Sequence, residues 1–190
     1  MDQRIRFEQV QVRLQGDYTK STYMRVRADG TFTMTGVGSE PYKLIVSELP
    51  ANWYVQKAEL ESQDVLASGV RLNHPPDQPL LITLSPNGAT LQFSVRDDKR
   101  NAVHGARIVM LPVFPTSQPL LQSYSDQSGN GRITEIPPGE YKVFAWHDVK
   151  DGEWTYPPFI SKVDSKASRI RITPGARAAL ELVVTSTQNP

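Results

Sequence analysis

The sequence predicts an all-β protein made of two sandwich domains in series, and three observations carry that prediction. Short apolar segments alternate with period two, turn residues separate them throughout, and the two halves of the chain match at a constant offset. Fifteen prolines and twelve glycines fall between the alternating segments, too closely spaced for long helices. At 190 residues the chain accommodates two domains of about 90 to 100 residues, near the lower end of the usual domain range.

Taken in order, the alternation predicts strands at FEQVQVRL (7–14), TFTMTGV (31–37), YKLIV (42–46), GVRL (69–72) and LLITL (80–84) in the first half. In the second half it predicts TLQFSV (90–95), RIVMLPV (107–113), GRITEI (131–136), YKVFAW (141–146), RIRI (169–172) and LELVV (180–184). ELESQDVLA (59–67) is the one stretch with the character of a helical turn. Pro137-Pro138-Gly139 fixes two φ angles and then supplies a residue tolerant of positive φ, which suits a sharp reversal between strands. Beyond it Tyr141, Val143 and Ala145 share a strand face, as do Tyr42, Leu44 and Val46, and both rows are assigned to cores.

The halves match in register. ASGVRL (67–72) recurs as ASRIRI (167–172) and LLITLS (80–85) as LELVVT (180–185), both displaced by 100 residues. Tyr42-Lys43-Leu44 matches Tyr141-Lys142-Val143 and Trp53 matches Trp154, at offsets of 99 and 101. Such agreement predicts an internal duplication with its seam in SPNGA (85–89), giving domains at 1–86 and 87–190. The offset sets GARIVMLPV (105–113) roughly on RIRFEQVQV (4–12) and leaves ATLQFSV (89–95) without a counterpart. The first domain is therefore expected to lack its opening strand, either because the chain is a fragment of a longer protein or because a partner supplies the strand. An edge left open in that way exposes unpaired N–H and C=O groups and is a template for strand addition.

Charge and composition narrow the function classes. With 21 basic and 20 acidic side chains the net charge is +1, so no global field favours nucleic acid. The absence of cysteine removes disulfides and thiolate metal sites. No run approaches the ~18 apolar residues of a membrane span, and MDQRIRFEQV lacks the apolar centre of a signal peptide, so an export signal is expected upstream or already removed.

Candidate sites are few. His147 and Asp148 follow a strand, but His74 and His104 lie in separate loops and complete no metal-ligand spacing, and no Gly-x-Ser-x-Gly elbow occurs. DQSGNG (126–131) starts like a calcium loop without the closing acidic residue, and its residues are also those of an ordinary β-turn. The sequence therefore predicts no enzyme activity, no cofactor and no metal. Trp146 matches Ser47 rather than an aromatic and shares with Phe144 the face opposite Tyr141. With Trp154 and Tyr156 it forms a candidate contact set for a sugar ring or a protein partner, set against simple packing, the expected fate of most tryptophans.

ATLQFSV, AVHGARIVMLP, SDQSGNGRITEIPPGEYKVFAWHD and RIRITPGARAALELVV together resemble the carboxypeptidase regulatory-like domain, a transthyretin-like or Cna-B-like sandwich. The resemblance covers residues 87–186; the first half departs from it, with GSEPY in place of PPGEY. It implies a seven-stranded Ig-like or prealbumin-like sandwich, an accessory or binding role without activity of its own, and a periplasmic, cell-surface or extracellular setting. The expectation is a non-enzymatic structural or protein-interaction module, with carbohydrate binding as the alternative. Expected partners are another protein, further domains of a parent chain, a second copy joined by strand addition, or a glycan.

Overall fold

The computed structural model describes residues 5–16, 21–114 and 120–185. They form two compact units, one ending at Pro86 and one beginning at Asn87.

After a 3-10 turn at Phe7–Gln9, the first unit contains β1 (Gln11–Gly16), β2 (Thr22–Arg25), β3 (Tyr42–Ser47), β4 (Tyr54–Leu60), β5 (Gln63–Asp64), the single helical turn α1 (Val65–Ser68) and β6 (Leu81–Ser85). Two antiparallel sheets result, ordered β2-β1-β3 and β5-β4-β6. Alternation dictates the burial: Tyr42, Leu44 and Val46 of β3 point inward while Lys43 and Ser47 face solvent. They meet Val55, Ala58 and Leu60 of β4 in one core between the sheets. Glu61 and Ser62, both at positive φ (49° and 68°), make the tight reversal from β4 to β5. Asp64 caps α1 by accepting from the Leu66 N–H at 2.9 Å.

The first unit differs from its sequence reading in four places. β2 and β4 are strands that alternation alone did not single out, and residues 59–60 of the expected helical turn belong to β4. GVRL keeps a single bridge, Val70 to Tyr42. TFTMTGV joins no ladder among the described residues, and Gly36 within it sits at φ +73°.

The second unit runs β7 (Ala89–Arg96), β8 (Arg107–Pro112), β9 (Leu121–Tyr124), β10 (Asn130–Ile136), β11 (Gly139–Trp146), α2 (Pro157–Val163), β12 (Ser168–Ile172) and β13 (Arg177–Val183). Its seven strands form a β-sandwich with sheets β10-β7-β13 and β12-β11-β8-β9. All pairs are antiparallel except β7 with β13. Leu91, Phe93, Ile108, Met110, Tyr141 and Val143 fill the space between the sheets. Each predicted strand is present, and β9 is added.

The units share an internal geometry. Tyr42 bridges Val70 as Tyr141 pairs with Ile170, both antiparallel. The order β2-β1-β3 repeats β9-β8-β11.

Candidate functional site

β7 shows what one position of this fold requires. It lies between β10, antiparallel, and β13, parallel, and buries Ala89, Leu91, Phe93 and Val95 in the core. Among the described residues of the first unit, β6 pairs with β4, antiparallel, while 31–37 form no ladder. The backbone groups of 32–37 make no hydrogen bond to any described residue, and backbone donors and acceptors are rarely left so in a folded interior.

Both ends of that segment are pinned. Thr31 donates to Asp29 Oδ1 from its N–H (2.9 Å) and its hydroxyl (2.7 Å), and its carbonyl accepts from the Arg27 N–H at 2.8 Å. The Thr31 hydroxyl, and then its N–H, hold the Asp29 carboxyl below the usual carboxylate range. At the far end the Gly38 N–H donates to the Tyr42 hydroxyl at 2.9 Å. Between these anchors Phe32, Met34 and Val37 rest on the core by one face.

A groove of about 770 Å³ runs along this segment, walled by Phe32, Met34, Leu60, Leu72, Leu80 and Leu81. Pro75, Pro76 and Pro79 close one side. Among the described residues that line it there is no Asp, Glu, Lys or Arg. Leu81 is 60% exposed at its rim, a large apolar surface for a strand end. His74, also at the rim, donates from Nδ1 to the Pro75 carbonyl at 2.9 Å.

The three aromatic candidates separate. Trp146 is fully buried and Trp154 is 5% exposed, whereas Tyr156 is 62% exposed. Phe144 and Trp146 do occupy the outer face of β11, stacked with ring centroids 4.7 Å apart. That face is covered by α2: Phe159 meets Trp146 at 5.7 Å, and Ile160 and Val163 complete a small second core within the same unit. Trp154 lies under the Arg107 guanidinium at 4.7 Å, which also faces Tyr124 at 5.0 Å and pairs with Asp151. The expected platform of Trp146, Trp154 and Tyr156 is therefore corrected: a sugar ring needs an exposed indole face, and both indoles are enclosed. The missed signal was α2 itself, with Pro157-Pro158 opening the helix and Phe159, Ile160 and Val163 on one side. Trp53, the match of Trp154, is half-buried.

His147, His74 and His104 are exposed and far apart in sequence, and no cluster of three ionisable metal ligands occurs among the described residues. In DQSGNG, Asp126 Oδ1 accepts from Ser128 N–H (2.8 Å) and Asn130 N–H (2.9 Å), so the carboxylate closes its own turn. Gly129 sits at φ +77°, where a Cβ would lie 2.6 Å from the Val95 carbonyl oxygen.

No family model matches the chain, and no curated protein does. Among solved structures it is similar to GBS52, the minor pilin of Streptococcus agalactiae, at 9% identity and a TM-score of 0.40 over 96% of this chain and 88% of that one. It is also similar to the Bacillus anthracis TIE protein (8%, TM-score 0.35, 93% of this chain) and to a streptococcal ancillary pilin (14%, TM-score 0.36, 92%). The chain spans 30% of the TIE protein and 60% of the ancillary pilin. Likeness this loose does not extend to what those proteins bind or assemble with.

Proposed function

We propose that this chain is a non-enzymatic structural and protein-interaction module, a tandem of domains at 1–86 and 87–190, whose first domain is completed by a strand from outside the described residues. The observation that carries the reading is the apolar groove along 31–37, a segment whose backbone joins no ladder among the described residues. Both ends of the segment are pinned, which lowers the ordering cost of pairing its backbone. The matched Tyr42–Val70 and Tyr141–Ile170 pairs support descent of the two halves from one duplicated domain. The motifs of residues 87–186 support placement among carboxypeptidase regulatory-like domains, and with it an exported or cell-surface parent protein.

Hydrogen exchange on the isolated chain tests the reading. Amides of 32–37 are expected to exchange at nearly unfolded rates while those of β3, β7 and β11 are protected. Slow exchange throughout 32–37 in a monomer would show the position already filled.

A further inference from the structure

The outer face of the β2-β1-β3 sheet carries a line of three cations beside an exposed tyrosine, a feature independent of the groove and of what fills it. We propose that this face binds an acidic polysaccharide, a chain of sugars bearing carboxylate or sulfate groups.

Strand register builds the line. Arg25 of β2 stands opposite Gln11 of β1, Lys43 of β3 stands opposite Gln15, and Arg13 lies two residues from each of those glutamines. Arg25, Arg13 and Lys43 are thus successive diagonal neighbours on one face, about 7–8 Å apart at each step. Val12 and Leu14, which alternate with Arg13, point into the core, so the three cations point away from it and are exposed. Directly across from Arg13 stands Tyr23, 67% exposed. The other ladder positions of the face hold Gln11, Gln15, Ile45 and Ser47, and none is a carboxylate. The ion pairs of the described residues lie elsewhere, at Lys57–Glu59, Arg107–Asp151 and around Asp164. On a chain of net charge +1 the line is a local concentration and not part of a general field.

The second unit shows that this exposure is specified by the residues themselves. Superposing the ladder of β1 and β3 on that of β8 and β11, with Tyr42 on Tyr141, sets Arg13 on Val109, Ile45 on Phe144 and Ser47 on Trp146. Those three second-unit side chains are enclosed beneath α2. An arginine and a serine at the same places suit water and not a covering helix.

The chemistry of the line selects its occupant. Guanidinium and ammonium groups pair with carboxylate or sulfate, and the Tyr23 ring beside them gives a sugar an apolar surface to stack on. An acidic protein would need an apolar centre to the contact, and this face offers only the partly buried Ile45. A single-stranded nucleic acid would need successive aromatic platforms, and Tyr23 is the one aromatic at a ladder position of the face. A linear acidic glycan asks for neither.

Binding of oligogalacturonate and of a heparin-derived oligosaccharide to the full chain, read by calorimetry, tests this, with a neutral maltooligosaccharide as control. Saturable binding of at least one acidic oligosaccharide and none of the neutral one is expected, weakening as salt rises. Arg13→Glu should weaken binding at least about tenfold, the size of one lost charge-assisted contact. Tyr23→Ala should weaken it about threefold or more, while Lys99→Glu, an exposed change in the second unit, leaves it unaltered. Should Arg13→Glu fail to fold, Arg25→Ser, on the edge strand β2, makes the same test. Equal binding by the folded charge variant, equal binding of the neutral sugar, or no binding of either acidic one would overturn the proposal. Tighter binding of oligothymidylate or of a polyglutamate peptide would give the face to nucleic acid or to an acidic protein and overturn it too. None of these outcomes alters exchange at 32–37, so the reading of the groove stands or falls separately.

Discussion

The hydroxyl of Tyr141 donates to the carbonyl of Pro137, four residues upstream, at 2.8 Å. Tyr42 makes the matching contact in the first unit, where its hydroxyl accepts from the Gly38 N–H, again four residues upstream. Each tyrosine thereby fastens the head of a core strand to the turn before it, and each ring is buried. Tyr141→Phe removes only the bond and is expected to cost about 1 kcal/mol. Tyr141→Ala also leaves a cavity and should cost about 3 kcal/mol. Urea denaturation followed by circular dichroism checks both, and a loss below about 1 kcal/mol for the alanine variant would remove Tyr141 from the core.

Trp146 is held between Phe144 and Phe159, so its emission should resist acrylamide and stay unchanged on titration with glycans. Trp146→Ala is expected to cost about 3–5 kcal/mol by emptying the second core. A glycan-dependent change in indole emission would show that α2 uncovers the face.

Gly131 gives a sharper test of packing. A Cβ at that position would lie 2.4 Å from Phe93 Cζ and 3.0 Å from the Tyr124 carbonyl oxygen. Gly131→Ala must therefore displace the Phe93 ring, at an expected cost of about 1–3 kcal/mol. A melting temperature equal to that of the unsubstituted chain would contradict so close an approach of β10 to β7.

Acid should weaken the second unit in a defined window. The Lys142 ammonium, by hydrogen bond and charge, and then Arg169 hold the Asp164 carboxyl below the usual range, against an opposing contribution from burial. A carboxyl depressed in the folded state adds stability that is complete above its unfolded pKa, about 3.9, and is lost as pH falls through the folded value. Asp97, held down chiefly by the Asn101 side chain, acts with the same sign. Unfolding free energy should accordingly be flat from about pH 5 to 7 and decline below about pH 4. Asp164→Asn should flatten part of that decline, and an unaltered pH profile would remove the ion pair from the account.

Local pattern determined much of this protein by itself. Alternation placed β1, β3 and β6 and every strand of the second unit but β9, because a half-buried strand needs an apolar residue at every second position whatever its neighbours are. TFTMTGV supplied one wall of the groove, through Phe32 and Met34. Tertiary structure decided the rest. TFTMTGV has the alternation of a strand but no ladder among the described residues, since a strand is completed by its partner and not by its own residues. The other wall, from Leu72 through the prolines to Leu81, has no period to reveal it. β4 breaks its alternation at the bulge between Val55 and Lys57. Most of all, the sequence put Trp146 correctly on the outer face of β11, but whether that face met solvent depended on α2, a seven-residue helix opened by two prolines that alternation did not single out. Burial is a property of what lies opposite, and only the folded chain brings that surface into place.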